Sequence, residues 1–160
     1  MVAPLGYRWR ALAQGGILLV VVTSAFYAFA YLGIYTQPHT AIRATQWIQE
    51  NVPPGSLFLT EHWEEGFPML GAYRFDVLPM YENDTFEKLE DIEEALAEAD
   101  YVLFFSNRLY GTIPRLSKRY PLSTSYYRAL FSGELGYQLV HWEDTYPNLL
   151  GVGFVDDTFS

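Results

Sequence analysis

The feature that most constrains this chain is an uninterrupted apolar run from Gly16 to Tyr35, GILLVVVTSAFYAFAYLGIY. It carries no charge, and apart from tyrosine hydroxyls only Thr23 and Ser24 offer hydrogen-bonding side chains. In lipid each backbone polar group must be satisfied within the segment, which a helix achieves. Twenty helical residues span about 30 Å, the thickness of a bilayer's hydrocarbon core. The run therefore predicts a transmembrane helix over 16–35, with a short segment, 1–15, before it and 125 residues, 36–160, after it.

A cleaved signal peptide is the competing reading, because Ala28-Phe29-Ala30 places small residues at an A-x-A spacing. The run continues through Tyr31, Leu32, Ile34 and Tyr35, and these bulky residues crowd that site, which favours a retained helix. Charge sets the expected orientation. Residues 1–35 hold Arg8 and Arg10 and no acid, a net +2, whereas residues 36–160 hold eight basic residues and all 19 acids, a net −11. Basic residues flanking a first span stay on the cytoplasmic side. The expectation is a single-pass protein of the cell membrane, with 1–15 cytoplasmic and 36–160 an extracytoplasmic domain in contact with membrane lipid.

The acidic balance argues against nucleic acid as a partner, since phosphates would be repelled. Cysteine is absent, which excludes disulfides and thiolate metal sites. About 125 residues suffice for a core without such staples. Thirteen tyrosines supply apolar surface with polar tips, suited to a domain close to a membrane interface.

Along the polar part, Thr36-Gln37-Pro38 breaks the first helix, and Pro38 fits the first turn of the next. Residues 40–51 (TAIRATQWIQEN) place Ala41, Ala44, Trp47 and Ile48 on one helical face, and Val52-Pro53-Pro54-Gly55 stops it. Residues 56–60 (SLFLT) read as a buried strand, 61–68 as a polar and aromatic loop, and 76–81 as a short strand. Asp84 with Glu87 fits a capping box for a helix over 85–99, whose stripe is Phe86, Leu89, Ile92, Leu96 and Ala99. Residues 101–105 (YVLFF) form the clearest strand. A loop or short helix over 106–120 carries Arg108, Arg115, Lys118 and Arg119. Residues 121–133 read as a helix capped by Ser123, 137–142 (YQLVHW) as a third strand, and 149–155 as a weak fourth. Helices alternating with strands imply a small three-layer α/β domain with a mostly parallel sheet.

Ligand-contacting loops of such sheets lie at the carboxyl ends of the strands. Here those ends are Glu61-His62-Trp63, Ser106-Asn107-Arg108 and Trp142-Glu143-Asp144. The loop Glu61, His62, Trp63, Glu64, Glu65 is the densest polar cluster. It has no second histidine four residues from His62, so it matches no helical zinc motif, and no metal or other cofactor is expected. Paired-carboxylate acid–base work, a plain structural loop with Trp63 packed, and substrate or peptide contact all remain open for it. Asn107 and Arg108 could hold an anion, as arginine grips phosphate or carboxylate with two parallel hydrogen bonds, or Arg108 could pair with a neighbouring acid. No catalytic residues are assigned: no serine–histidine–aspartate order and no glycine-rich phosphate loop is present.

Three stretches together resemble a known family: YTQPHTAIRATQWIQENVPPGS directly after an apolar helix, TEHWEEGFP, and ADYVLFFSNRLY followed by RYPLSTSYYRALFSGELGYQLV. They resemble the C-terminal end of multispanning GT-C type glycosyltransferases, including the bacterial and archaeal relatives of the protein mannosyltransferases. More distantly, His62-Trp63-Glu64-Glu65-Gly66 is similar to the Trp-Trp-Asp-Tyr-Gly motif of oligosaccharyltransferases, with Trp63 and Gly66 matching outright. The resemblance implies a polyprenyl-phosphate sugar donor, a protein or glycan acceptor, and acceptor contact near Trp63, Glu64, Glu65 and Arg108. In that family a catalytic acid sits in the first external loop of a many-helix bundle. The expectation is thus a C-terminal part that is not active alone. A free-standing binding or interaction module of the cell envelope is the rival.

Overall fold

In a computed structural model, residues 5–62, 66–68 and 70–155 are described, with side chains of the first helix described from Trp9 onward. The chain forms two compact units, one of Met1–Pro38 with Asp144–Asp156 and the other chiefly His39–Glu143.

In the first unit, α1 (Leu5–Leu32) is a 28-residue helix. It starts before the apolar run because Leu, Arg, Ala and Gln in 5–14 are all good helix formers. A 3₁₀ turn, Gly33–Thr36, tightens its end, and Gln37 is extended (φ −114°, ψ 153°), as the residue before a proline must be. Ile17, Leu18, Leu19, Val20, Val21 and Val22 are 55% to 65% exposed. Six consecutive helical residues cover the whole circumference, so no protein face shields this stretch. The helix is long and apolar enough to cross a membrane.

Beside the end of α1, β4 (Asn148–Leu149) and β5 (Val152–Gly153) pair antiparallel. Phe154 meets Phe26 and Tyr27 edge-on, with ring centroids 6.1 and 5.2 Å away, and Ala30 is fully buried. A Cβ at Gly33 would lie 2.9 Å from the Asn148 carbonyl oxygen, so this approach requires glycine. The weak strand expected over 149–155 is therefore a hairpin in this unit and not a fourth strand of the main sheet.

In the second unit, α2 (Thr40–Asn51) is capped by His39, whose Nδ1 accepts from the Ala41 amide at 3.1 Å. Pro38 thus lies just outside the helix and not in its first turn. β1 (Leu57–Glu61) is the central strand of a parallel sheet, flanked by β2 (Arg74–Leu78) and β3 (Tyr101–Val102). β1 and β2 are each displaced from their expected positions, and regular β3 ends at Val102, with one further bond from the Leu103 amide to the Leu59 carbonyl. Phe58 stacks between Phe75 and Tyr101 across all three strands, centroids 5.5 and 5.1 Å apart. Successive strand residues face opposite ways. Phe58 joins Ile48 of α2, Val52 just beyond that helix, and Leu70, and Leu59 joins Leu78, Ile92, Leu109 and Tyr127 in a second cluster.

Residues 137–142 form no strand. Two of their side chains are anchored on neighbouring elements instead. Tyr137 Oη donates to the Leu96 and Ala99 carbonyls at the end of α3 (Phe86–Glu98), and the His141 ring stacks on Trp47 of α2, centroids 4.3 Å apart.

The capping expectation for α3 is also corrected. Thr85 is the cap, its hydroxyl accepting from the Lys88 amide, and Phe86 is 75% exposed. Asp84 instead caps α4 (Pro121–Ser132) from across the fold, accepting from the Leu122 and Ser123 amides at 2.6 and 3.1 Å. Ser123, expected as a cap, lies inside α4 and donates to Asp84 at 2.5 Å. Lys88 is buried; its Nζ donates to the Met80 carbonyl at 2.9 Å and Ser123 Oγ at 2.8 Å, and lies 3.5 Å from Asp84. Burial pushes the Asp84 carboxyl up, but the Ser123 hydroxyl, the two amides and Lys88 together hold it below the usual aspartate value. Burial lowers Lys88, an effect Asp84 partly opposes.

Removing the Asp84 charge leaves Lys88 buried without its counter-ion, a loss of about 3–5 kcal/mol. Asp84→Asn should therefore be less stable by that order at neutral pH. Because its folded value is lowered, Asp84 stabilises fully above the unfolded aspartate value of about 3.9 and loses that contribution as pH falls through the folded value. Thermal melts of the full chain in detergent micelles, followed by near-ultraviolet circular dichroism, check both. Equal melting of variant and parent at neutral pH contradicts the assignment.

Candidate functional site

Parallel strands end on the same side, so β1 and β3 deliver their following loops side by side. Two of the three expected strand ends are placed this way: Glu61 closes β1, and Ser106-Asn107-Arg108 follows β3. Trp142-Glu143-Asp144 follows no strand.

Glu61 is not in a loop. It is the last residue of β1 and only 2% exposed. Its Oε1 accepts a 2.5 Å hydrogen bond from the hydroxyl of Tyr127 on α4. Burial raises the Tyr127 hydroxyl far above the ordinary tyrosine value, and the Glu61 carboxylate adds to this. Tyr127 is thus a fixed neutral donor at any physiological pH. Tyr126 is raised for the same reasons, in the same order. Its hydroxyl is buried with no hydrogen-bond partner among the described residues.

His62 is half-buried, and its Nδ1 finds no partner among the described residues. Trp63, Glu64 and Glu65 lie outside the described residues. Asn107 is half-buried, and its backbone carbonyl accepts from the Gly111 amide at 2.8 Å. Arg108 is exposed, and its guanidinium makes no ion pair with the described residues. Among the described residues no group of three or more metal-ligating side chains gathers.

Next to the start of this loop lies a cavity of ≈ 290 Å³, lined by Thr60, Gly66, Phe67, Leu70, Gly71, Phe75, Leu103 and Phe105. Phe67 and Phe105 meet edge-on at 5.2 Å in its wall. Its lining is aromatic and aliphatic with one hydroxyl, that of Thr60, which donates to the Asp76 carbonyl at 3.2 Å. Such a site accepts a flat apolar surface: an aromatic or aliphatic side chain, or the face of a sugar ring.

A further cluster was not legible from spacing. Arg43 Nε donates to Glu143 Oε2 at 2.7 Å, and His141 Nε2 lies 3.1 Å from Glu143 Oε1. The Arg43 hydrogen bond, helped by its charge and by His141, holds the Glu143 carboxyl below its usual value. The partners are 100 residues apart, so no local motif announces them. No protein-family model, curated protein or solved structure matches this chain.

The two adjacent tyrosines should respond oppositely to loss of the hydroxyl. Tyr127→Phe strips the buried Glu61 carboxylate of a donor and should cost about 1–3 kcal/mol. Tyr126→Phe removes a buried hydroxyl that lacks a partner, and should leave stability unchanged or raise it. Parallel denaturant titrations of both variants decide the matter; equal losses would show that Glu61 does not depend on Tyr127.

Proposed function

We propose that the chain is a single-pass membrane protein in which α1 crosses the bilayer with its N-terminus in the cytoplasm. It holds outside the cytoplasm a small three-layer α/β domain that serves a lipid-linked-sugar glycosyltransferase of the GT-C type. The domain contacts the protein or glycan acceptor, or covers the membrane-embedded active site. It does not transfer sugar by itself.

The observation that carries this reading is the aromatic cavity lined by the parallel sheet and by residues that follow β1 and β3, on a chain that also bears α1. Arg8 and Arg10 before the apolar run and the acids after it support the orientation. The placement of Phe58 and Leu59 in separate core clusters, one with α2 and one with residues of α3 and α4, supports helices on both faces of the sheet.

In this role Phe67, Phe75 and Phe105 take the flat face of an acceptor group. Arg108, exposed after the neighbouring strand, meets an anionic group of the donor or acceptor. His62, Trp63, Glu64 and Glu65, which precede the lining residue Gly66 in the sequence, provide the polar contacts. The buried Glu61 orders the start of that loop through Tyr127. The transfer step needs a carboxylate and a donor site contributed by a membrane bundle, and the polyprenyl-phosphate sugar reaches the complex from the bilayer.

The full chain in lipid nanodiscs, given a polyprenyl-phosphate sugar and an acceptor peptide or glycan, should show no turnover. Acceptor should nevertheless perturb the ring NMR signals of Phe67 and Phe105. Gly71→Trp, at a cavity-lining position where a Cβ meets nothing within 4 Å, should abolish that perturbation and leave the melting temperature unchanged. Turnover by the chain alone overturns the non-catalytic role. Acceptor-insensitive ring signals overturn acceptor contact and favour a free-standing envelope module.

A further inference from the structure

The hairpin beside α1 has the make-up of a lipid-facing element. Residues 147–155 (PNLLGVGFV) contain no charged side chain, in a chain with 29 Asp, Glu, Lys and Arg residues. Leu149 and Val152 pair across the two strands, so Leu150 and Gly151 form the two-residue turn. Both have positive φ, 54° and 84°, which defines a type I′ turn. Asparagine, aspartate or glycine normally takes the first of these positions, because a larger L-residue there is strained. Here it is a leucine whose surface is 89% exposed. Val152 and Val155 are also exposed, at 50% and 58%. In water this is a strained conformation that leaves a large apolar side chain bare. In lipid the same side chain is buried, and the burial offsets the strain.

The surroundings indicate the depth. The hairpin sits against the last turns of α1, through Phe154 on Phe26 and Tyr27 and through the close approach of Asn148 to Gly33. This is the end of the helix that carries Tyr27 and Tyr31 one turn apart, with Tyr35 following in the 3₁₀ turn beside Tyr31; all three are exposed. Exposed tyrosines at the end of an apolar span mark the boundary between headgroups and acyl chains. A short hairpin has too few internal bonds to lie in the bilayer centre, where every backbone group must be satisfied. At the boundary, water and headgroups reach the remaining groups.

We infer that the Pro147–Val155 hairpin inserts Leu150, Val152 and Val155 into the acyl-chain boundary of the outer leaflet. It is a second membrane contact alongside α1, and its partner is bilayer lipid, because its bare apolar surface continues that of α1. It rests on the reading that α1 crosses the membrane. Its effect is to tie the chain beyond residue 143 to the bilayer surface.

The chain has no cysteine, so single cysteines can be placed without background. Leu150→Cys, Val20→Cys in mid-helix and Glu90→Cys on the exposed face of α3 are each labelled with an environment-sensitive fluorophore. The full-length proteins are reconstituted in phosphatidylcholine vesicles carrying nitroxide quenchers at shallow or deep acyl positions. The Leu150 label should emit to the blue of the Glu90 label and be quenched more by the shallow nitroxide than by the deep one. The Val20 label should show the reverse order. An aqueous, unquenched Leu150 label beside a lipid-quenched Val20 label overturns the hairpin inference and leaves the membrane span standing. A blue-shifted but unquenched Leu150 label means that protein covers the hairpin, which also overturns it. An aqueous Val20 label overturns the span itself, and the inference with it.

Discussion

The second unit depends on one constraint: a parallel sheet needs cover on both faces. β1 sits between two parallel neighbours, so its residues alternate between two separate cores. Phe58 and Leu59, adjacent in sequence, anchor one cluster each. The same geometry brings the carboxyl ends of β1 and β3 together, and the loops after them shape the aromatic cavity. Site and fold have one origin, the direction in which the three strands run.

Several polar groups in that interior are tied in small closed sets. Asp84 caps a helix to which it is not adjacent in sequence and partners a lysine in the first turn of α3, the helix that follows it. Ser123 bridges the two. This knot fixes α3 against α4, and α4 in turn presents Tyr127 to Glu61. A carboxylate at the end of a central strand would be costly if left bare. The hydroxyl from α4 makes it tolerable and fixes where the loop after β1 begins. The strand end from which that loop departs is therefore held by a hydroxyl supplied from α4.

The first unit follows a different rule. α1 exposes bulky aliphatic side chains around its full circumference over 17–22, and the hairpin beside it repeats that character in a chain segment without charge. Both are costly surfaces in water and ordinary ones in lipid. Glycine at position 33 lets the hairpin carbonyl approach the chain just beyond α1, so packing there is decided by the absence of a side chain.

Much of this was legible in the residues. The apolar run showed itself by length, α2 by the spacing of Ala41, Trp47 and Ile48, and the central strand by SLFLT between a proline turn and a polar loop. These are local signals, set by periodicity and by what proline forbids. The misjudged parts were those where a distant partner overrides a local preference. Asp84 looked like the cap of its own helix, yet another helix offered it two amides and a hydroxyl. Residues 137–142 had the composition of a strand, but their side chains found partners on α2 and α3 and the backbone entered no ladder. Tyr126 and Tyr127 are adjacent and chemically identical, so nothing local tells that only Tyr127 hydrogen-bonds a carboxylate. By itself the sequence determined the apolar helix, the acidic α/β region and the order of its main elements, because these follow from hydropathy and period along the chain. Tertiary structure alone decided that Glu61 is interior, that Phe67, Phe75 and Phe105 wall one cavity, and that the last apolar segment folds back on α1, because each depends on atoms brought together from far apart in the chain.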